Sequence, residues 1–261
     1  MSPLSVIDAH CHLEPAEFQD RDEVIARARA AGVSHFIVVG AGDTLANVDN
    51  ALALAAAHPD MSAVIGIHPH QAKLLDDGLL EAIEGHAANN PKVVAIGETG
   101  LDYFYDHSTE QQQKDGFSKF IALARRVEKP LVLHVREAHC DARAMFHEEG
   151  GLDVGAVVHC FTGTAQDARS WLNLGCYLSF SGIVTFKTAD DIRAAALLVP
   201  ADRILVETDC PFLAPAPKRG KRNEPAWVTH TLQALAKLRQ VPVDELAAQT
   251  VENTRRCFRL P

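Results

Sequence analysis

Short runs of β-branched and aliphatic residues alternate along the chain with longer amphipathic stretches. Strand patterns fall at residues 5–12, 35–40, 62–69, 93–100, 131–135, 155–161, 176–182 and 204–209, eight in all. Runs such as Phe36-Ile-Val-Val39, Leu131-Val-Leu133 and Ile204-Leu-Val206 are apolar at every position rather than at alternate ones. Strands covered on both faces, as in a parallel sheet, read this way. Between them the pattern predicts helices over 21–31, 45–57, 79–88, 110–127, 138–149, 165–174 and 190–199, with two more over 227–239 and 243–258. Thr109, followed by Glu110 and Gln112, reads as a capped helix entry. A βα unit repeated to the end with no long linker predicts a single-domain α/β fold over residues 1–261, a (β/α)8 TIM barrel. An open doubly wound sheet is the competing topology, since strand order is invisible in one sequence.

Composition narrows the function classes. The chain carries 34 acidic and 25 basic side chains, a net charge of −9, which argues against coating nucleic acid by bulk charge. It leaves room for an enzyme that grips a few phosphates locally. The 6 cysteines are scattered with no CxxC pair, the start shows no signal-peptide pattern, and no apolar run is long enough to cross a membrane. These features predict a reducing cytoplasmic setting, with no membrane and no obligate protein partner.

The unusual count is 13 histidines, and their placement matters more than their number. His10 and His12 end the first predicted strand, and their i, i+2 spacing points both rings to one side of an extended chain. His68 and His70 end the third, Glu98 the fourth, His134 the fifth, His159 the sixth and Asp209 the eighth. Barrel enzymes carry their working groups at this end of the strands. Imidazoles and carboxylates together suit Zn²⁺, Mn²⁺ or iron rather than Ca²⁺. His10, His12, Glu98, His134, His159 and Asp209 are enough donors for two ions if one carboxylate bridges, with Asp209 as ligand and proton acceptor. The remaining histidines, His107 and His139 among them, read as ordinary core or surface residues.

These residues resemble the TatD-like family of metal-dependent hydrolases and deoxyribonucleases. The blocks Asp8-Ala-His-Cys-His-Leu13, Gly66-Ile-His-Pro-His70, Gly97-Glu-Thr-Gly-Leu-Asp-Tyr103, Leu133-His-Val-Arg136, Val158-His-Cys-Phe-Thr-Gly163, Glu207-Thr-Asp-Cys-Pro211, Arg219-Gly-Lys-Arg-Asn-Glu-Pro225 and Glu252-Asn-Thr-Arg-Arg-Cys-Phe258 carry the likeness nearly end to end. The resemblance implies a TIM barrel with a divalent metal centre whose ligands map to His10, His12, Glu98, His134, His159 and Asp209, with Glu98 in the bridging place. It implies phosphodiester hydrolysis, often 3′-to-5′ trimming of DNA. Two divalent ions per subunit, zinc, magnesium or manganese, are expected, and Glu98 and Asp209 are the expected catalytic carboxylates.

Substrate features beyond the resemblance are fewer. Lys218-Arg-Gly-Lys-Arg222 concentrates cations just after the eighth strand, where a barrel loop overhangs the active rim. Arg219 and Arg222 in that loop, with His68 and Arg136, are the expected contacts to an anionic substrate such as a single-stranded DNA end. Tyr103, Phe104 and Phe161 are expected near the rim, available to stack a terminal base. Asp8 reads either as an orienting partner of the ligands or as a buried structural hydrogen-bonder. Asp102 reads as a substrate contact or a loop cap, and Glu207 as a carboxylate at the mouth or the partner of a barrel arginine. Two rival functions remain open. The same centre suits an amide, ester or lactone hydrolase, and the scaffold suits a non-catalytic metal-binding partner protein.

Overall fold

In a computed structural model that describes residues 4–42 and 44–261, the strands form one eight-stranded parallel sheet whose order follows the chain. They are β1 (Val6–Cys11), β2 (Val33–Ala41), β3 (Met61–Gly66), β4 (Val93–Asp102), β5 (Leu131–Arg136), β6 (Ala156–Val158), β7 (Tyr177–Phe180) and β8 (Ile204–Val206). Helices α1 (Arg21–Ala30), α2 (Leu45–Ala57), α3 (Asp77–Asn89), α4 (Glu110–Arg126), α5 (His139–Glu148), α6 (Ala165–Asn173) and α7 (Asp190–Leu198) fill the crossovers, and α8 (Val228–Arg239) and α9 (Val243–Phe258) follow β8. The entry to α4 is a capping box between Thr109 and Gln112, as the sequence predicts.

The two faces of the strands explain their continuous apolar character. In β2, Phe36 and Val38 pack outward with helix residues, while Ile37 and Val39 join Ile7, Val64, Val132, Val157 and Leu205 inside the ring. Fully burying a side chain the size of Phe36 contributes roughly 2–3 kcal/mol. Cys257 and Phe258, at the end of α9, join the inner cluster beside strand-start residues such as Ile7 and Tyr177. That helix therefore closes the N-terminal end of the barrel and leaves the opposite rim to carry chemistry.

The ring is drawn shut between its first and last strands. Asp209 N donates to His10 O at 3.0 Å and His12 N to Cys210 O at 2.9 Å. Beneath them, Asp8 accepts from Thr208 N at 2.8 Å and from Thr208 Oγ1 at 2.6 Å.

Three strands end three residues earlier than the pattern predicts. β3 stops at Gly66, β6 at Val158 and β8 at Val206, so His68, His159 and Asp209 lie beyond the regular sheet. After β3, Pro69 opens a short 3-10 turn, Pro69–Leu74. After β6 and β8 the backbone enters the left-handed region at Cys160 (φ +40°) and Asp209 (φ +57°), which no regular strand allows.

Candidate metal centre

Glu98 is the hub. It is nearly fully buried on β4, and its two carboxylate oxygens face different sets of donors. Oε2 lies 3.3 Å from His10 Nε2 and 3.7 Å from His12 Nε2. Oε1 lies 2.7 Å from His159 Nε2 and 2.9 Å from His134 Nδ1. Burial alone would push this carboxyl up, but the imidazoles of His159, His68 and His10 outweigh it and hold the group well below the usual carboxylate range. Close backbone packing makes room for it. A Cβ on Gly97 (φ +149°) would sit 2.5 Å from Val132 O, and one on Gly100 (φ +135°) 2.1 Å from His134 O.

The first donor set joins His10, His12 and Asp209 to Glu98 Oε2. His10 Nε2 and His12 Nε2 are 3.2 Å apart, and Asp209 Oδ1 lies 3.8 Å from the one and 3.6 Å from the other. Tetrahedral ligands about 2.1 Å from an ion stand about 3.4 Å from one another. The separations here, from 3.2 to 3.8 Å, fit that spacing. Burial would raise Asp209, but its bond to His12 and the charges of His159 and His10 keep it low.

The second set is Glu98 Oε1, His134 Nδ1 and His159 Nε2, the two imidazole nitrogens 3.3 Å apart. Each ring is oriented by a carboxylate on its far side. Glu207, fully buried, lies 3.3 Å from His159 Nδ1 and accepts from Cys160 N at 2.7 Å. Asp102 Oδ2 lies 2.9 Å from His134 Nε2 and 2.9 Å from His70 Nε2, while its Oδ1 accepts from Phe104 N and Tyr105 N. Such partners fix the ring orientation and raise ligand basicity. The rings of His10 and His159 stack in parallel at 3.9 Å, so they carry one proton more readily than two. Burial disfavours charge on both. Repulsion from His159 lowers His10 further, whereas Glu98 and Glu207 hold His159 well above its ordinary value.

His68 has a different posture. Its Nδ1 accepts from His70 N at 3.1 Å, which leaves the proton of the neutral ring on Nε2. That N–H points into the cluster, 3.2 Å from His134 Nδ1 and 3.3 Å from Glu98 Oε1. Burial, then the charge of His134, lowers His68 to about 4, so it stays neutral near pH 7.

The structure thus brings His10, His12, Glu98, His134, His159, Asp209 and His68 together. Each of the expected arginine contacts also has a partner within the chain. Arg136 lies over the Phe104 ring at 3.8 Å and Arg219 over Phe186 at 3.6 Å. Arg222 pairs with Asp20 at 2.7 Å, donates to Glu17 O and lies over Phe18. Phe161 is corrected outright. It is fully buried against Phe180 and His139 and offers no face to a base. Among the described residues Glu207 meets no arginine; it is the orienting partner of His159. Asp102 caps its loop and holds His134 and His70. Asp8 holds Thr208. Sequence reasoning set Asp102 and Glu207 no role at the ligands, although Asp102 follows Glu98 by four positions and Glu207 precedes Asp209 by two, the one signal that marked them.

The chain is similar to known proteins. The family model described as TatD-related DNase matches residues 7–259. The metal-dependent hydrolase YabD of Bacillus subtilis is 41% identical over 98% of this chain and 99% of its own. A protein of Cronobacter turicensis named 3′-5′ ssDNA/RNA exonuclease TatD is 38% identical over 97% of each chain. The crystal structure of YjjV, a TatD homologue from Escherichia coli K12, superposes with a TM-score of 0.92 at 31% identity over 98% of each chain. The chain belongs to the TatD-related DNase family and is a metal-dependent hydrolase.

Proposed function

We propose that this hydrolase is a deoxyribonuclease that trims single-stranded DNA ends in the 3′-to-5′ direction, with two divalent cations held by His10, His12, Glu98, His134, His159 and Asp209. The division of the Glu98 carboxylate between two donor sets carries the reading, because a pair of adjacent cations sharing one carboxylate suits in-line displacement at phosphorus. Bound divalent cations supply Lewis acidity toward phosphoryl oxygens and a water whose pKa falls toward ~7.

The chain's own residues do the rest. Asp209, kept ionised beside His12, receives a proton at its carboxylate. His68 offers a neutral Nε2–H to a non-bridging phosphoryl oxygen, adding hydrogen-bond stabilisation without competing for the cations. Arg136, stacked on Phe104, presents its guanidinium to a neighbouring phosphate, and Arg219 and Arg222 add charge along the loop after β8. The Cronobacter relative named 3′-5′ ssDNA/RNA exonuclease TatD supports the polarity and the strand preference. All six cysteines are free thiols, which suits a cytoplasmic setting.

The test is digestion of end-labelled single-stranded DNA by purified protein across Mg²⁺, Mn²⁺ and Zn²⁺, with chelator and His134→Ala controls. Chelator-sensitive release of mononucleotides from the 3′ end is expected. Cleavage confined to a panel of amides, esters and lactones would overturn the reading.

A further inference from the structure

Phe212 lies just past Asp209 at the mouth of the barrel and is 59% exposed, more than any other large apolar side chain among the described residues. Its backbone is nonetheless tied down. Phe212 N donates to Asp209 O at 3.0 Å, and the fully buried Asn223 donates from Nδ2 to Phe212 O at 2.6 Å and to Thr208 O at 2.9 Å. A fixed turn therefore presents an apolar ring to water, an arrangement that contributes little to folding. The ring stands edge-on to His12, with centroids 6.4 Å apart at 70°. Other aromatics of the rim have occupied faces: Phe104 is covered by Arg136, Phe186 by Arg219, and Tyr105 is stacked on His107. Among the described residues no cation covers Phe212.

We propose that Phe212 is a specificity-determining residue that stacks the nucleobase attached to the phosphodiester being cleaved. This rests on the nuclease reading above and deepens it. With a phosphate at the donor cluster, the base bonded to the same nucleotide lies within reach of a ring beside His12. Aromatic stacking tolerates every base, because each has a π-face, but it requires a base that has left its helix. Phe212 thereby selects unpaired, base-bearing ends over duplex ends and over phosphoesters that carry no base.

The test compares wild type, Phe212→Ala and Phe212→Trp on single-stranded oligonucleotides with either an ordinary or a tetrahydrofuran abasic residue at the cleaved end. On ordinary ends Phe212→Ala is expected to raise KM about tenfold, the effect of losing one base–aromatic stack, with kcat changed by less than about twofold. Phe212→Trp restores KM, and on abasic ends all three proteins act alike. The exposed position predicts an unchanged Tm for both variants. An unchanged KM for Phe212→Ala on ordinary ends, or an equal loss on abasic ends, overturns the stacking role of Phe212 while leaving the nuclease reading intact. A wild type that digests no oligonucleotide yet shows chelator-sensitive cleavage of small esters overturns both.

Discussion

Asp102 Oδ2 and His134 Nε2 meet at 2.9 Å, with the carboxylate almost wholly buried. The contact orients the His134 ring so that Nδ1 faces Glu98 Oε1 at 2.9 Å. Burial alone would raise Asp102, but its bonds to His134 and His70 and to the Tyr105 amide hold it far below the usual carboxylate range, so it accepts at any working pH.

Asp102→Asn preserves shape but sets an amide N–H where His134 needs an acceptor, or sacrifices the loop cap if it flips. Metal affinity is expected to fall about 10–100-fold with the fold intact, as measured by competition against a chromogenic chelator. Affinity equal to wild type would show that His134 needs no orienting partner.

Glu98→Gln removes charge from both donor sets at once. Bound metal is expected to drop below that of a variant lacking a donor from one set only, such as Asp209→Asn, and activity to fall at least about 100-fold. Metal analysis after gel filtration, read beside turnover, checks both. Full occupancy with full activity would remove Glu98 from its place between the sets.

Gly100→Ala places a Cβ 2.1 Å from His134 O at a φ of +135°. A loss of at least about 2 kcal/mol in urea denaturation is expected, from backbone strain and from the clash with β5. A variant as stable as wild type would mean the β4–β5 packing is loose enough to give.

Much of the barrel was legible because two-sided burial writes itself as unbroken apolar runs, and because His10 and His12 share a face by simple alternation. The strand ends were not. Regular alternation places Phe161 on the same side as His159, at the mouth. The left-handed residue Cys160 between them breaks that alternation and sends Phe161 into the core. The roles of Asp102 and Glu207 were hidden for another reason. Asp102 acts across the β4–β5 pairing on His134, and Glu207 reaches His159 from 48 residues away, so neither contact leaves a local pattern.

Asp8 carries a pH signature of its own. Burial, only partly offset by its Thr208 bonds, raises this carboxyl to about 8. Between the ordinary aspartate value near 3.8 and about 8, the folded protein keeps a proton that the unfolded chain releases. Rising pH therefore favours unfolding across that window, by up to about 1.4 kcal/mol per pH unit. Asp8→Asn keeps one acceptor and one donor for Thr208 and removes the titration. Urea midpoints of metal-stripped protein at pH 5, 6 and 7 should fall more steeply for wild type than for the variant. Parallel slopes would place the Asp8 proton outside this window.

The seam between β1 and β8 has a consequence for when the enzyme becomes active. His10 and His12 emerge from the ribosome early and Asp209 late, and the proposed cation pocket draws on all three. A nascent chain that has not yet finished β8 holds an incomplete cage, so hydrolytic power arrives only with the last turn of the barrel.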